Sequence, residues 1–281
     1  MHCFINGQFV SIQEARLGIR DLALLRGYGI FDFFRVKDNI PLFVDDHIDR
    51  FFRSSEITRL PLPYTKRALK DLVLELIELN NAHLSGIRLL LTGGYSEDAY
   101  TPASPNLVIT QEPIKPLDAS VYQNGVALIT HEFQRELPTV KTTGYLTGIW
   151  LADKIKAAKA MDVLYHTQGH ITELTRSNIF IVQQDDTIKT PSAHILPGVT
   201  RKNILALSSE KFKVEEAVVT LDALRKAKEV FITSTLKKVV PVIKIDETIY
   251  SGGKPGTVTL ALLEQFEAFE NTWLTDHGVN P

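Results

Sequence analysis

The sequence predicts a mixed α+β protein of two domains, and three observations carry that expectation. Runs rich in β-branched and aromatic residues alternate with runs whose apolar residues recur at helical spacing. The segment "QEPIKPLD" (111–118) holds two prolines and interrupts both periodicities. At 281 residues and 44% hydrophobic composition, the chain is long enough for two sizeable cores. The expected division is a small N-terminal α/β domain over 1–113, a linker over 114–118, and a larger C-terminal mixed α/β domain over 119–281.

The elements follow in order. "FINGQFV" (4–10) sets Asn-Gly between short apolar runs, the strongest short hairpin signal. "GIFDFFRV" (29–36) and "IRLLLTGG" (87–94) have strand composition. Between them, "DDHIDRFFRSSEI" (45–57) and "KRALKDLVLELIELNNA" (66–82) are amphipathic helices, the second placing Leu69, Leu72, Val73, Leu76 and Leu79 on one face. Past the linker, strands are expected at 125–130, 178–184, 229–235 and 239–245, with helical segments at 146–160 and 200–212. A last helix from Thr257 is expected to bury Val258, Leu262, Phe266, Phe269 and Trp273.

Composition excludes several classes. No run of apolar residues is long enough to span a membrane, and "MHCFINGQFV" lacks the features of a signal peptide, so a soluble cytoplasmic protein is expected. Cys3 is the single cysteine, which rules out an internal disulfide and a cysteine-built metal site. With 31 basic against 33 acidic residues the net charge is -2, no footprint for nucleic acid or an anionic membrane. His166 and His170 flank Gly169 in a turn with no acidic ligand spaced for zinc. The expected partner is a small molecule.

The chemistry-bearing residues lie mostly in the second half. In "PTVKTTGYLTG" (138–148), Lys141 sits where an extended segment turns into a helical one, away from any polar helix face. Glu173 occupies a short polar stretch, "GHITELTRSN", that feeds an apolar strand. "ILPGVTRKNIL" (195–205) is a Pro-Gly turn followed at once by a helical pattern, so the first free amides, at about Gly198 to Thr200, form an anion site to which Thr200 adds a hydroxyl. The strand end "TST" adds the hydroxyls of Thr233, Ser234 and Thr235. Taken singly, each feature has a structural explanation: a solvated lysine, a polar residue before a strand, a helix entry, hydroxyls closing a turn. Together they supply an amine nucleophile, a carboxylate and a phosphate cradle, the set that pyridoxal phosphate requires.

The runs "VKTTGY", "TELTRSNIF", "TPSAHILPGVTR", "FITST" and "VVPV", in that order, resemble the fold type IV family of pyridoxal phosphate enzymes, over nearly the whole chain. That family includes D-amino acid and branched-chain aminotransferases and aminodeoxychorismate lyases. The resemblance implies a two-domain fold with the cofactor in the cleft between domains. It makes Lys141 the Schiff-base lysine and Glu173 the partner of the pyridine nitrogen. Arg50, the Val199 and Thr200 amides, the Thr200 hydroxyl, Ser234 and Thr235 fall to the phosphate, with Leu196 packed on the ring. Tyr145 is the candidate for the cofactor's phenolic oxygen, although it stands four residues after the lysine where branched-chain members have five. A homodimer is also implied.

Two departures bear on the substrate. The family's early "GDG" reads Gly27-Tyr28-Gly29. Phe31 replaces a tyrosine that contacts the substrate carboxylate in D-amino acid aminotransferases, and phenylalanine cannot donate that hydrogen bond. Arg26, Arg88 and Arg176 are the candidates to bind the carboxylate instead, with Arg26 or Arg176 expected to do so, and each has the alternative of a structural ion pair. The expectation is a transaminase that favours D-amino acids and passes the amino group to a 2-oxo acid such as 2-oxoglutarate or pyruvate. A branched-chain L-amino acid aminotransferase, an aminodeoxychorismate lyase and a non-catalytic metabolite-binding protein are the alternatives.

Overall fold

The computed structural model describes residues 1–209 and 211–278 and divides into two compact units. The first contains residues up to Lys115, together with Val140–Gly144 and the chain from Thr272 on; the second contains Pro116–Thr139 and Tyr145–Asn271. The sequence anticipates one crossing near 114–118. The two returning segments are set by tertiary pairing that no local pattern encodes.

Unit 1 starts with the hairpin β1 (His2–Ile5) and β2 (Gln8–Ser11). Asn6 and Gly7 at its tip have φ of 47° and 96°, the two positive values a tight two-residue hairpin needs. After α1 (Leu22–Arg26) come β3 (Gly29–Lys37), β4 (Ile40–Pro41), α2 (Val44–Ile57), α3 (Lys66–Asn80), β5 (Leu84–Thr92) and β6 (Leu107–Pro113). The antiparallel sheet runs β2-β1-β6-β5-β3-β4. One face, including Ile30, Phe34, Val36, Ile87, Leu89 and Ile109, packs with Ile48 and Phe51 of α2 and Leu69, Val73 and Leu76 of α3. Leu79 is exposed and Ile77 takes its place in the core, because Leu79 falls about a third of a turn round from Val73.

Val140–Gly144 joins this unit by pairing with the start of β3. Phe31 N–H donates to the Lys141 carbonyl at 2.9 Å, Thr143 N–H donates to the Gly29 carbonyl at 3.0 Å, and Ile30 bridges Thr142. Such a pairing is invisible to local periodicity, since more than a hundred residues separate the partners.

Unit 2 comprises α4 (Ala119–Asn124), β7 (Val126–Glu132), α5 (Leu146–Trp150), α6 (Ala152–Ala157), β8 (Asp162–Thr167), β9 (His170–Leu174), β10 (Asn178–Val182), β11 (Ile188–Pro191), α7 (Val199–Ser208), β12 (Val214–Ala217), α8 (Leu221–Arg225), β13 (Glu229–Ser234), β14 (Lys238–Ile245), β15 (Thr248–Ile249) and α9 (Thr257–His277), whose last turns belong to unit 1. The sheet order is β12-β11-β10-β13-β14-β7-β8-β9, with β15 on β14. Pairs β7/β14, β7/β8 and β11/β12 are parallel and the others antiparallel. Leu164, Ile179, Ile181, Val230, Ile232 and Val240 build the core on one face. On the other, Phe180 and Phe231 stack with ring centroids 4.8 Å apart.

The helical segment expected at 146–160 is two short helices broken at Leu151, and that expected at 200–212 ends at Ser208; Glu210 lies outside the described residues. In α9, Val258, Leu262 and Phe266 are buried, whereas Phe269 and Trp273 are half-buried. Among the described residues no helix is long and apolar enough to cross a membrane, and no group of three His, Cys, Asp or Glu could hold a metal ion.

Candidate active site

Glu173, expected in a short polar stretch ahead of a strand, lies within a strand of its own, β9, and is buried. Both its oxygens are occupied. Oε1 lies 2.7 Å from Nε and 2.7 Å from Nη2 of Arg135, and Oε2 accepts the Leu196 N–H at 2.8 Å. Two donors on a buried carboxylate fix its orientation and offset its desolvation. Arg135 also donates to the Pro138 carbonyl, which ties the approach to residue 140 to the same group. Nothing local in "FQREL" marks Arg135; its partner is 38 residues away.

Leu196 belongs to the turn that opens α7, and it is held from both sides. Its N–H goes to Glu173, and its carbonyl accepts Asn178 Nδ2 at 2.9 Å. Gly198 is the N-cap of α7 with no side-chain cap, and no acidic residue occupies the first turn. A Cβ at Gly198 would lie 2.1 Å from Asn178 Oδ1, so only glycine allows the turn to close against that amide. Asn178 pairs across the sheet with Thr233, whose buried hydroxyl finds no hydrogen-bond partner among the described residues. An uncapped helix start, buried Val199 and Thr200, and that buried hydroxyl fit a phosphate dianion. Ser234 and Thr235 follow at the end of β13, half-buried, with the Ser234 hydroxyl accepting the Lys237 N–H. Lys237, not singled out in the sequence, anchors that turn by donating to Ser177 Oγ at 3.1 Å beside Asp162 at 3.4 Å.

In unit 1, the strand edge that holds the Lys141 backbone also places its Nζ 4.6 Å from the centroid of the Phe31 ring. Arg50 projects from α2 into the core and is 4% exposed. It grips Asp32 of β3 with Nε and Nη2, both at 2.8 Å, and His47 Nδ1 lies 2.7 Å from the same carboxylate. Burial alone would raise Asp32, but Arg50 and His47 outweigh it and hold the carboxyl well below the usual range. Burial lowers His47 against the pull of Asp32, with the positive charges of Arg50 and Lys141 adding to the effect. A neutral His47 facing a carboxylate carries its proton on Nδ1, so the 3.3 Å approach of Arg50 Nη2 to that nitrogen is a contact between two donors. The sequence reading does not single out Asp32 or His47; the signal that finds them is one acid at the alternate positions Ile30, Asp32, Phe34 and Val36 of β3, with His47 and Arg50 three residues apart on α2.

The remaining candidates fall in different places. Arg88 of β5 forms a two-pronged ion pair with Glu112, with Nε–Oε1 at 2.7 Å and Nη2–Oε2 at 3.0 Å. Arg26 closes α1, is exposed, and donates to the Leu25 carbonyl. Arg176 is exposed between β9 and β10. Tyr145 is the N-cap residue of α5 and is half-buried.

A clamped carboxylate beside a helix start fit for an anion is compatible with a phosphorylated aromatic coenzyme. Residues 29–245 match the Amino-transferase class IV family, and the chain belongs to that family: it is a pyridoxal-phosphate-dependent transaminase. It is 31% identical to a putative branched-chain-amino-acid aminotransferase of Methanocaldococcus jannaschii, over 97% of this chain and 98% of that protein. It is 30% identical to the D-alanine aminotransferase of Bacillus licheniformis, over 92% and 93%. The Escherichia coli branched-chain amino acid aminotransferase shares its fold with a TM-score of 0.88 at 25% identity, covering 95% of this chain and 93% of that one.

Proposed function

We propose that the protein moves the amino group of an amino acid, with D-amino acids favoured, to a 2-oxo acid such as 2-oxoglutarate or pyruvate, with pyridoxal phosphate carried covalently by Lys141. The observation that carries this reading is Glu173, a buried carboxylate supplied with two donors and joined through Leu196 to the helix start at Val199. When bound, the coenzyme supplies an electron sink for the α-carbon of an amino acid. Glu173 holds a proton at the pyridine nitrogen. Lys141 Nζ acts first as nucleophile and then carries the α-proton. Leu196 packs on the ring and Tyr145 donates to the phenolic oxygen. The phosphate falls to Arg50, oriented by Asp32, to the Val199 and Thr200 amides, and to the hydroxyls of Thr200, Ser234 and Thr235.

The preference for D-amino acids rests on the arginines at 26, 88 and 176 that accompany Phe31, and on relatives named as D-alanine aminotransferases. A branched-chain L-amino acid preference is the second reading. It is favoured by the apolar pair Phe31 and Phe33 on one strand face and by the branched-chain relative. The protein works as a homodimer: α5 leaves Leu146, Ile149 and Trp150 more than 70% exposed, which a partner surface would cover.

Borohydride reduction followed by peptide mapping is expected to place the coenzyme on Lys141; an adduct on Lys154 or Lys237 would overturn the assignment. Conversion of the coenzyme to its amine form, followed by absorbance with D- and L-amino acids, tests the preference. D-alanine and D-glutamate are expected to react fastest. Faster reaction of L-leucine or L-valine than of every D-amino acid would reject the D-preference in favour of the branched-chain reading.

A further inference from the structure

The sheet of unit 1 has a second face, opposite the one packed with α2 and α3. Period-two alternation puts Phe31 and Phe33 of β3, Arg88 of β5, and Thr110 and Glu112 of β6 on it, and Phe33, Arg88 and Thr110 are directly opposite one another across the strands. Gly86 leaves room there: a Cβ would lie 2.1 Å from the Phe33 ring, so that ring lies across β5. The Arg88 guanidinium lies 5.3 Å from the centroid of Phe31 and 5.2 Å from that of Phe33. Phe31 is also the ring approached by Lys141 Nζ.

A guanidinium has five N–H donors and can meet a carboxylate along more than one edge. Glu112 takes the Nε edge of Arg88, and Thr110 Oγ1 donates to Glu112 Oε1 at 3.0 Å, which fixes the acid in turn. The hydrogen bonds from Arg88 lower the Glu112 carboxyl, so the pair stays charged at neutral pH. Among the described residues, Nη1 of Arg88 makes no hydrogen bond.

We propose that Glu112 is a positioning residue for substrate recognition. By holding the Nε edge, it presents the Nη1 and Nη2 edge of Arg88 to the carboxylate of the amino acid or 2-oxo acid. This rests on the reading of Arg88 as a carboxylate binder. An arginine ordered beforehand by a fixed acid and two aromatic faces loses less rotamer freedom when a ligand binds, so the expected effect is on affinity more than on turnover.

The test uses the coenzyme-loaded enzyme and the variants Glu112→Leu, Glu112→Gln, Thr110→Val and Arg88→Leu. Steady-state kinetics with D-alanine and 2-oxoglutarate are paired with calorimetric binding of propionate, which reports the fork without turnover. Glu112→Leu is expected to raise KM and weaken propionate by about tenfold, with a much smaller change in kcat. Glu112→Gln keeps one acceptor for the fork and is expected to recover part of the loss; Thr110→Val is expected to give a smaller effect in the same direction and stands in if Glu112→Leu does not fold. Unchanged KM and propionate affinity in the Glu112 variants, or a fall in kcat that exceeds the rise in KM, would overturn the proposal. If Arg88→Leu raises KM and Glu112→Leu does not, only the role of Glu112 fails. If Arg88→Leu also leaves KM unchanged, the reading of Arg88 fails with it.

Discussion

Replacing Glu173 with glutamine is expected to slow removal of the α-proton by on the order of 1,000-fold while the protein still retains its coenzyme. The residue in this reading holds a proton on the pyridine nitrogen, and a neutral amide cannot stabilise that charge. The proposed phosphate contacts at Arg50, Val199 and Thr200 are untouched by the substitution. The local structure predicts a secondary cost as well. Glu173 offers one oxygen to Arg135 and one to the Leu196 N–H, and glutamine has a single oxygen, so one of those donors loses its acceptor. That cost is about 1–3 kcal/mol of stability. Single-turnover absorbance, a coenzyme dissociation constant and a thermal melt separate the two effects. Near-normal proton removal in Glu173→Gln would take the residue out of the mechanism, whatever the melt shows.

Asp32→Ala should destabilise the coenzyme-free protein by about 3–5 kcal/mol, because it breaks a buried ion pair by removing the carboxylate that Arg50 grips with Nε and Nη2. Asp32→Asn should cost less, since its amide oxygen still accepts from Arg50. The pH dependence has a definite sign. The Asp32 carboxyl is lowered in the folded state, so its contribution is present above the ordinary value of 3.8 and is lost as pH falls toward the folded value. His47 is lowered too, so the unfolded chain takes up a proton first as pH falls through its ordinary 6.5, and stability drops there as well. Thermal stability of the native protein should therefore decline below about pH 6.5 and more steeply below pH 4. Urea unfolding of Asp32→Ala at pH 7.5 decides the first claim: a loss under about 1 kcal/mol would show that Arg50 finds another partner, since an unpaired buried charge costs several times that.

Much of the architecture can be derived from local pattern. Asn6-Gly7 specifies its hairpin because few residues besides asparagine and glycine tolerate two successive positive φ values. The stripe on α3 identifies the face that helix turns to the core of unit 1 with one error, Leu79, at the edge of the stripe. The local pattern does not anticipate β4, β6, β8, β9, β11, β12 or β15: β6 runs into the proline-bearing segment 111–118, most of the others are short, and β9, "HITEL", carries polar residues, so its composition opposes its conformation.

The order and spacing of Lys141, Glu173, Pro197-Gly198 and Thr233–Thr235 determine which chemistry this chain is equipped for, because a coenzyme with an aldehyde, a ring nitrogen and a phosphate needs those groups together. The tertiary structure alone decides how each group is held. Arg135 reaches Glu173, Asp32 grips Arg50, Glu112 takes one edge of Arg88, and Val140–Gly144 pairs with β3. All are contacts between residues far apart in sequence: the first two pair charges that desolvation leaves needing a partner, the third orders a half-exposed arginine, and the last satisfies a strand edge. Local sequence supplies the groups; only the packed chain brings each to the neighbour that satisfies it.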